Sequence, residues 1–316
     1  MKLGLLLPGQ GAQTVGMGFD FAQRSSAAAA LFERADQVLG MQLSNTCFEG
    51  PPERLTRTDI AQPAIYVCSL AALAAFEQEV SSIQPIMAAG LSLGEYTALA
   101  ATKAISFEDG LELVRLRGQA MQAASEEKPS GMTSVLGLEP AILEVICAKV
   151  ATQTHLICQV ANLNSPGQVV VSGETGALDI LEPRAVEAGA KGAIRLTVAG
   201  AFHSEVMRPA AEKLEAALNS TEFRKPICPV WQNATAVAST DPDELKTHLA
   251  AQLTSPVRWE ESYRAMANQI GEHSFLEPAP GRVLAGLARK IVRGPTIHSL
   301  NRAEALDTLK AKLSPA

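Results

Sequence analysis

Residues 86–96, IMAAGLSLGEY, contain a single serine between two glycines in a G-x-S-x-G frame. The apolar run 86–90 predicts a short buried strand, and the residues after the serine predict a helix. A nucleophilic serine needs this order of strand, tight turn and helix, because glycines permit the turn and the helix N-terminus directs free N–H groups towards the serine. The same frame also occurs in ordinary loops, where Ser92 would only cap the helix.

Strands and helices alternate on both sides of this motif. The run LGLLL (3–7) predicts a buried strand, and residues 61–79 predict a long apolar helix packed in a core. Such alternation is typical of an α/β sheet with much parallel character.

The order of predicted strands and helices changes after a polar segment at 126–131 that is rich in glycine and proline. The next strands and helices follow the order β-α-β-β-α-β, which is the ferredoxin-like arrangement. The sequence therefore predicts an α/β protein with two parts. A large α/β-hydrolase-like domain with a parallel sheet comprises residues 1–128 and 200–316, and a small ferredoxin-like subdomain is inserted at 129–199.

Composition excludes several classes of protein. Hydrophobic residues make up 47% of the 316 residues and charged residues 19%, which indicates a folded globular chain. The net charge of −6 argues against broad nucleic-acid binding. The five cysteines are scattered without a C-x-x-C pair, so we expect no metal site and no disulfide framework, only buried thiols in a reducing cytoplasm. Uninterrupted apolar runs are too short for a signal peptide or a membrane span.

A serine nucleophile needs a base, and five histidines are available. Only His203 follows a predicted strand and a small-residue loop and then opens a helix. That is a typical position for a site residue in an α/β sheet. A lone histidine is more often structural than catalytic, so the residue pattern alone leaves both roles open.

Six motifs in a fixed order resemble those of the malonyl-CoA:acyl carrier protein transacylases and the related acyltransferase domains of polyketide synthases. The motifs are PGQGAQ (8–13), GLSLGEY (90–96), RLRG (115–118), NSPGQVVVSG (164–173), AFHS (201–204) and EPAPGRVL (277–284). The resemblance extends from Leu3 to about Asn301. Each motif alone is weak, and the ordered set is specific.

The resemblance implies a ping-pong acyl transfer. Ser92 would attack the thioester of malonyl-CoA, and the phosphopantetheine thiol of holo-acyl carrier protein would then take the malonyl group. His203 would act as base and then as acid, oriented by the main-chain carbonyl of Gln252, whose side-chain identity should then matter little. The backbone N–H groups of Gln10 and Leu93 would form the oxyanion hole.

The resemblance also assigns substrate contacts. Arg117 would bind the malonyl carboxylate, since a guanidinium grips a carboxylate with two hydrogen bonds, whereas a neutral acetyl group would leave it unpaired. Phe202 would exclude an α-methyl group by its bulk, and Gln10 and Asn162 would contact the substrate. One departure is Leu91, where the family usually has a histidine, and this could alter rate or acyl preference.

An acyl carrier protein is usually strongly acidic, so its docking surface should be basic. Helical spacing of ~100° per residue places Arg282, Arg289 and Arg293 on one stripe, with Lys290 beside it, and apolar residues on another stripe. The cations, here called the basic cluster, are Arg282, Arg289, Lys290 and Arg293. The apolar stripe comprises Val283, Leu287 and Ile291.

The sequence thus predicts an acyltransferase with a CoA thioester as substrate, no permanently bound cofactor and no metal. We expect malonyl-CoA and holo-acyl carrier protein as partners, no nucleic acid or membrane, a monomer and a cytoplasmic location. A free-standing acyltransferase serving a polyketide synthase is an alternative with the same chemistry. A serine thioesterase and a non-catalytic scaffold of the same fold are further alternatives, against which Arg117 and the intact Ser92 and His203 speak.

Overall fold

The computed structural model describes residues 1–313, which form two sheets flanked by helices. The strands are β1 (Lys2–Leu7), β2 (Gln84–Gly90), β3 (Ser130–Leu136), β4 (Cys158–Ser165), β5 (Gln168–Glu174), β6 (Gly192–Arg195), β7 (Val230–Trp231), β8 (Ala238–Ser239), β9 (Ser274–Pro278) and β10 (Ile297–Leu300). The helices are α1 (Phe19–Arg24), α2 (Ser26–Leu39), α3 (Leu43–Glu49), α4 (Pro52–Thr56), α5 (Thr58–Glu79), α6 (Leu93–Ala101), α7 (Phe107–Glu127), α8 (Pro140–Thr154), α9 (Thr175–Glu187), α10 (Arg208–Ser220), α11 (Pro242–Ala251), α12 (Trp259–Gln269), α13 (Val283–Ile291) and α14 (Ala305–Leu313).

The larger sheet is parallel except at one edge. Its strand order is β10-β9-β1-β2-β7-β8, and only the β7–β8 pair is antiparallel. The central strand β1 is buried along Leu3–Leu7 because the sheet has helices on both faces, which explains its nearly continuous apolar sequence. The coarse prediction of an α/β protein with a parallel sheet is confirmed.

The smaller sheet is separate and entirely antiparallel. Its strand order is β4-β5-β3-β6, and the chain runs through it as β3-α8-β4-β5-α9-β6. Leu143 of α8 and Leu178 of α9 pack with Val160 of β4 in one apolar cluster between the helices and the sheet. This part of the chain therefore has a core of its own.

Helix α5 is a core helix. It is the one described helix that is long and apolar enough in composition to cross a membrane, although its sequence is interrupted by polar residues. Of its most apolar window, 83% is buried inside the protein, so most of its apolar surface packs in the core. The five cysteines are free and buried, as predicted.

A backbone contact joins the smaller sheet to the segment that precedes α12. Val257 forms a parallel bridge with Asn162 of β4. The N–H of Val257 donates to the carbonyl oxygen of Ala161 at 2.8 Å, and the N–H of Leu163 donates to the carbonyl oxygen of Val257 at 2.9 Å. Strand β4 is thereby fixed against the larger part of the protein.

The stripe predicted for residues 282–293 is wrong at both ends. Helix α13 stops at Ile291, and Val292 is extended with φ −143° and ψ 130°, so Arg293 lies beyond the helix. Arg282 precedes the first helical turn. Val283 is 44% exposed, because the buried face of the helix is instead formed by Leu284, Leu287, Ala288 and Ile291.

Candidate active site

Ser92 lies at the turn between β2 and α6 in a backbone conformation that few non-glycine residues adopt. Its φ is 53° and its ψ is −101°, which is strained for a residue with a side chain. The flanking glycines make the turn sterically feasible. A Cβ on Gly90 would lie 1.9 Å from the carbonyl group of Gly94, and a Cβ on Gly94 would lie 2.1 Å from the carbonyl oxygen of Leu7. The predicted strand–turn–helix setting is therefore present.

Asn233 holds this turn in place with two hydrogen bonds. The sequence analysis did not predict this role. Its Oδ1 accepts the N–H of Ser92 at 2.6 Å, and its Nδ2 donates to the carbonyl oxygen of Gly90 at 2.7 Å. Asn233 follows β7, the neighbour of β2 in the sheet. An asparagine after a short strand has no catalytic signature in a single sequence, so only the sheet order reveals this contact.

Ser92, His203 and Gln252 form a hydrogen-bonded chain. Nε2 of His203 lies 2.7 Å from Oγ of Ser92, and Nδ1 lies 2.9 Å from the carbonyl oxygen of Gln252. A carbonyl oxygen only accepts, so Nδ1 carries the ring proton and Nε2 accepts the hydroxyl proton of Ser92. Three residues that are distant in sequence thus meet in the geometry of a nucleophile, a base and an orienting acceptor.

The surroundings of His203 favour its neutral form. The residue is only 3% exposed. Burial, followed by the positive charge of Arg117, lowers the pKa of the imidazole to about 3, while the hydrogen bond to the carbonyl of Gln252 opposes this shift. The ring is therefore available as a proton acceptor at neutral pH.

Arg117 is buried with uncharged partners. Its side chain is 1% exposed. Its N–H groups donate to Oε1 of Gln62 at 2.7 Å, to Oγ of Ser92 at 2.9 Å and to Oε1 of Gln252 at 2.9 Å. Its Cζ lies 5.4 Å from the ring centroid of Tyr96, within the range of a cation–π contact. No carboxylate of the described residues pairs with this cation.

The side chain of Gln252 also takes part in the site, so the condition under which its identity would matter little, use of the carbonyl alone, is not met. It is fully buried. Besides accepting from Arg117, its amide donates to the carbonyl oxygen of Ser92 at 2.9 Å and to Oε2 of Glu95 at 2.7 Å. Glu95 is also fully buried and was not singled out by the sequence. The glutamate follows the serine by three residues, a spacing that would place it on the first turn of the helix, but nothing in the sequence indicated its burial.

The N–H groups of Gln10 and Leu93 donate to no acceptor within residues 1–313. Leu93 is the first residue of α6, where N–H groups have no partner inside the helix. Gln10 follows β1, the strand beside β2. Its side-chain amide donates to Oγ1 of Thr58 at 3.4 Å. The two N–H groups predicted for the oxyanion hole thus have no hydrogen-bond acceptor among the described residues.

A cavity of about 590 Å³ opens onto Ser92 and His203. Phe202 and Leu91 contribute apolar lining, and Asn162 contributes an amide from β4 of the smaller sheet. Gln10 also lines the cavity, whereas the guanidinium of Arg117 lies behind Oγ of Ser92. Leu91 packs on the apolar cluster that contains Trp259 and Phe275, so this departure from the family pattern is accommodated as an apolar contact.

The basic cluster lies outside this cavity, and all four of its side chains are exposed. Nζ of Lys290 donates to Oε1 of Gln168 at 3.1 Å, and Arg282 donates to Oδ1 of Asn301 at 3.0 Å. Because Gln168 begins β5, the C-terminal end of α13 contacts the smaller sheet.

A family model described as "Acyl transferase domain" matches residues 5–310. The chain belongs to the acyl transferase family. It is 42% identical over 292 residues to the malonyl CoA-acyl carrier protein transacylase of Bacillus subtilis, a match that covers 92% of this chain and 91% of that protein.

Solved structures of acyl transferases have the same fold. The malonyl CoA-acyl carrier protein transacylase of Coxiella burnetii matches with a TM-score of 0.94 and 33% identity, over 100% of this chain and 98% of that chain. A malonyl-transacylase in complex with its type II polyketide synthase acyl-carrier protein matches with a TM-score of 0.92 and 35% identity, over 99% of this chain and 100% of that chain. This chain is an acyltransferase similar to malonyl CoA-acyl carrier protein transacylases along nearly its whole length.

Proposed function

We propose that this acyl transferase moves a malonyl group from malonyl-CoA to the phosphopantetheine thiol of holo-acyl carrier protein through a malonyl ester of Ser92. One observation carries the proposal. Oγ of Ser92 lies within hydrogen-bond distance of both Nε2 of His203 and the guanidinium of Arg117. A single small acyl group on Oγ can therefore have its carbonyl beside the base and its carboxylate beside the cation.

In the first half-reaction, His203 takes the hydroxyl proton of Ser92 as Oγ attacks the thioester carbonyl carbon. The C–O bond forms and a tetrahedral oxyanion develops, which the free N–H groups of Gln10 and Leu93 stabilise. The C–S bond then breaks, and the departing CoA sulfur takes the proton from His203.

The second half-reaction runs the same steps in reverse with a different thiol. The phosphopantetheine thiol gives its proton to His203 and attacks the carbonyl carbon of malonyl-Ser92. The new C–S bond forms, the C–Oγ bond breaks, and Ser92 recovers the proton. No metal and no permanently bound cofactor has a role in this sequence of steps.

Arg117 supplies the preference for malonyl. The malonyl carboxylate would displace neutral acceptors from the guanidinium, and a charge-assisted hydrogen bond is roughly twice as strong as a neutral one. Gln10 and Asn162 contact the substrate in the cavity. Phe202 narrows the cavity beside Ser92, which favours malonyl over its α-methyl derivative.

Intact mass after mixing the protein with malonyl-CoA tests the proposal. We expect a gain of one malonyl group, absent in Ser92→Ala, and transfer of that group when holo-acyl carrier protein is added. Acetyl-CoA and methylmalonyl-CoA should label Ser92 more slowly. Rapid release of free malonate without carrier protein would instead identify a thioesterase, and no labelling at all would identify a scaffold.

Service to a polyketide synthase carrier is a second candidate with the same chemistry. It is favoured by the similarity to the malonyl-transacylase that was solved with a type II polyketide synthase carrier. Comparing kcat/KM for carriers of the two pathways separates the candidates.

We further propose that the fold divides as the sequence indicated, into an α/β-hydrolase-like domain (1–128 and 200–316) and a ferredoxin-like subdomain (129–199). The β4-β5-β3-β6 order with all neighbours antiparallel supports the second description. The buried free thiols are compatible with a reducing cytoplasm, which we propose as the location. A monomeric state remains a prediction.

The basic cluster is proposed as part of the carrier docking surface. On the helix itself, Arg289 and Lys290 are exposed, and Lys290 contacts Gln168 of the smaller sheet. Helix α13 also packs against β4, the strand that contributes Asn162 to the cavity. A carrier bound over this helix would have its phosphopantetheine arm close to the cavity.

A further inference from the structure

Glu95 is a fully buried carboxylate that the mechanism above does not use. Its Oε2 accepts the amide N–H of Gln252 at 2.7 Å and the backbone N–H of Asn233 at 3.0 Å. With its amide nitrogen facing Glu95, Gln232 donates to Oε1 at 3.2 Å. The carboxylate therefore accepts hydrogen bonds from neutral N–H groups of the protein. It has no direct cationic partner among residues 1–313.

Glu95 fixes the orientation of the Gln252 amide. The amide nitrogen faces the carboxylate, so the amide oxygen must face the opposite way, where it accepts from Arg117 at 2.9 Å. Rotating this amide by half a turn would place its oxygen against Glu95 and its N–H groups against the guanidinium. Both contacts would then be repulsive. The carboxylate at position 95 thus ensures that Arg117 faces the amide oxygen of Gln252 and not its N–H groups.

The negative charge of Glu95 also acts on Arg117 and favours its charged form. A buried cation without a partner is unfavourable, and an anion nearby reduces that penalty. Burial, the largest influence, raises the pKa of Glu95, while the hydrogen bonds from Gln252 and Asn233 and the charge of Arg117 lower it. The interposed amide keeps the carboxylate out of the guanidinium fork, so a substrate carboxylate does not have to displace an ion pair.

We propose that Glu95 is a positioning residue for malonyl recognition. Through the amide of Gln252 it keeps the guanidinium of Arg117 charged and directed at Ser92, yet leaves it without a carboxylate partner until the malonyl carboxylate arrives. The inference rests on the proposed function, since it requires Arg117 to bind that carboxylate. Under this inference, the preference for malonyl over acetyl depends on a residue that contacts neither the substrate nor the side chain of Ser92.

The test measures acyl preference in Glu95→Gln, which keeps the shape of the side chain and removes its charge. The ratio of kcat/KM for malonyl-CoA to that for acetyl-CoA should fall about tenfold, because a hydrogen bond to a charged group contributes a factor of this size or more. Loosening of the serine turn would slow both substrates equally. An unchanged ratio would therefore overturn the inference.

Glu277→Gln is the matched control. Glu277 is equally buried, and its carboxylate accepts the backbone N–H groups of Leu284 and Ala285, remote from Arg117. This variant should leave the malonyl-to-acetyl ratio unchanged. Labelling of Ser92 by a neutral fluorophosphonate confirms that each variant has a folded site, and it should proceed in Glu95→Gln within about twofold of the wild-type rate.

Gln252→Met provides a second test of the relay, because it removes the amide and keeps the backbone carbonyl that orients His203. If Glu95 acts mainly through this amide, Glu95→Gln should lower the ratio by a smaller factor in the Gln252→Met background than in the wild type, because only the direct effect of its charge on Arg117 is left. Independent, multiplying losses would contradict the relay. Failure of the wild-type protein to form malonyl-Ser92 would reject the proposed function, whereas wild-type labelling with an unaltered ratio in Glu95→Gln would reject this inference alone.

Discussion

Two buried titratable groups next to Ser92 have pKa values shifted in opposite directions. Burial lowers the pKa of His203 to about 3 and raises that of Glu95 to about 7. Between these values His203 remains a neutral base, while Glu95 takes up a proton as the pH falls. The charged and titratable groups that interact with Glu95 are Arg117 and the hydroxyl of Tyr96. Loss of activity on the acid side of neutrality should therefore follow the protonation of Glu95 and not that of the His203 imidazole.

The pH profile of kcat/KM for malonyl-CoA checks this. We expect a decline below about pH 7 in the wild-type protein and no such decline in Glu95→Gln, whose activity is lower but flat between about pH 5 and pH 8. A histidine with an ordinary pKa near 6.5 would produce a decline that persists in the variant. Persistence would assign the acid limb to His203 or to another group.

At the level of residues, the sequence predicted those that have motif signatures. Ser92 lies in a glycine frame, and the family motifs point to His203 and Arg117. The structure brings these three together. Glu95 and Asn233 could not be predicted, because glutamate and asparagine are usually exposed and only the packed sheet shows which ones are buried.

Among the elements, the close contact between α6 and β1 determines where Ser92 lies. A Cβ at Gly94 would be 2.1 Å from the backbone carbonyl oxygen of Leu7, and a backbone atom cannot move aside as a flexible side chain can. Gly94→Ala should therefore push the helix away from the strand and disturb the turn at Ser92. We expect a loss of about 3 kcal/mol in the free energy of unfolding, measured by urea denaturation, together with slower malonylation.

Gly286→Ala is the matched control for this substitution. Gly286 lies in α13, is exposed and has nothing within 4 Å of the added Cβ. Alanine should stabilise the helix there by about 0.5–1 kcal/mol. Equal effects of the two substitutions would mean that helix propensity, and not the contact with Leu7, determines the result.

Periodicity predicted the existence of the elements better than their ends. The apolar pattern placed α5 and β1 correctly because these elements are buried on every side. It extended the helical stripe as far as Arg293, although α13 ends at Ile291. The stop signal in the sequence, Gly294-Pro295, lies after Arg293, so it predicts a helix end about two residues too late.

On the scale of the whole molecule, the site is assembled from both sheets. The larger sheet supplies the serine turn, and β4 supplies Asn162 to the same cavity. The backbone contacts of Val257 fix β4 in that position. From sequence alone the β-α-β-β-α-β segment could be recognised as a separate unit. Its placement over Ser92 could not, because it depends on bridge contacts between segments far apart in the chain.

The net charge of −6 opposes an acidic partner at long range, so we expect docking of an acidic carrier protein to depend on local cations. Arg289→Glu and Lys290→Glu should each raise the KM for carrier protein about tenfold at low ionic strength, with malonyl loading of Ser92 unchanged. The effect should shrink at ~0.5 M salt, where screening is strong.

Lys213→Glu is the matched control. It makes the same change of charge at an exposed position of α10, a helix that packs against α7, and should leave the KM for carrier protein unaltered. Equal increases in all three variants would show that net charge alone acts, and an unchanged KM in Arg289→Glu and Lys290→Glu would remove α13 from the docking surface.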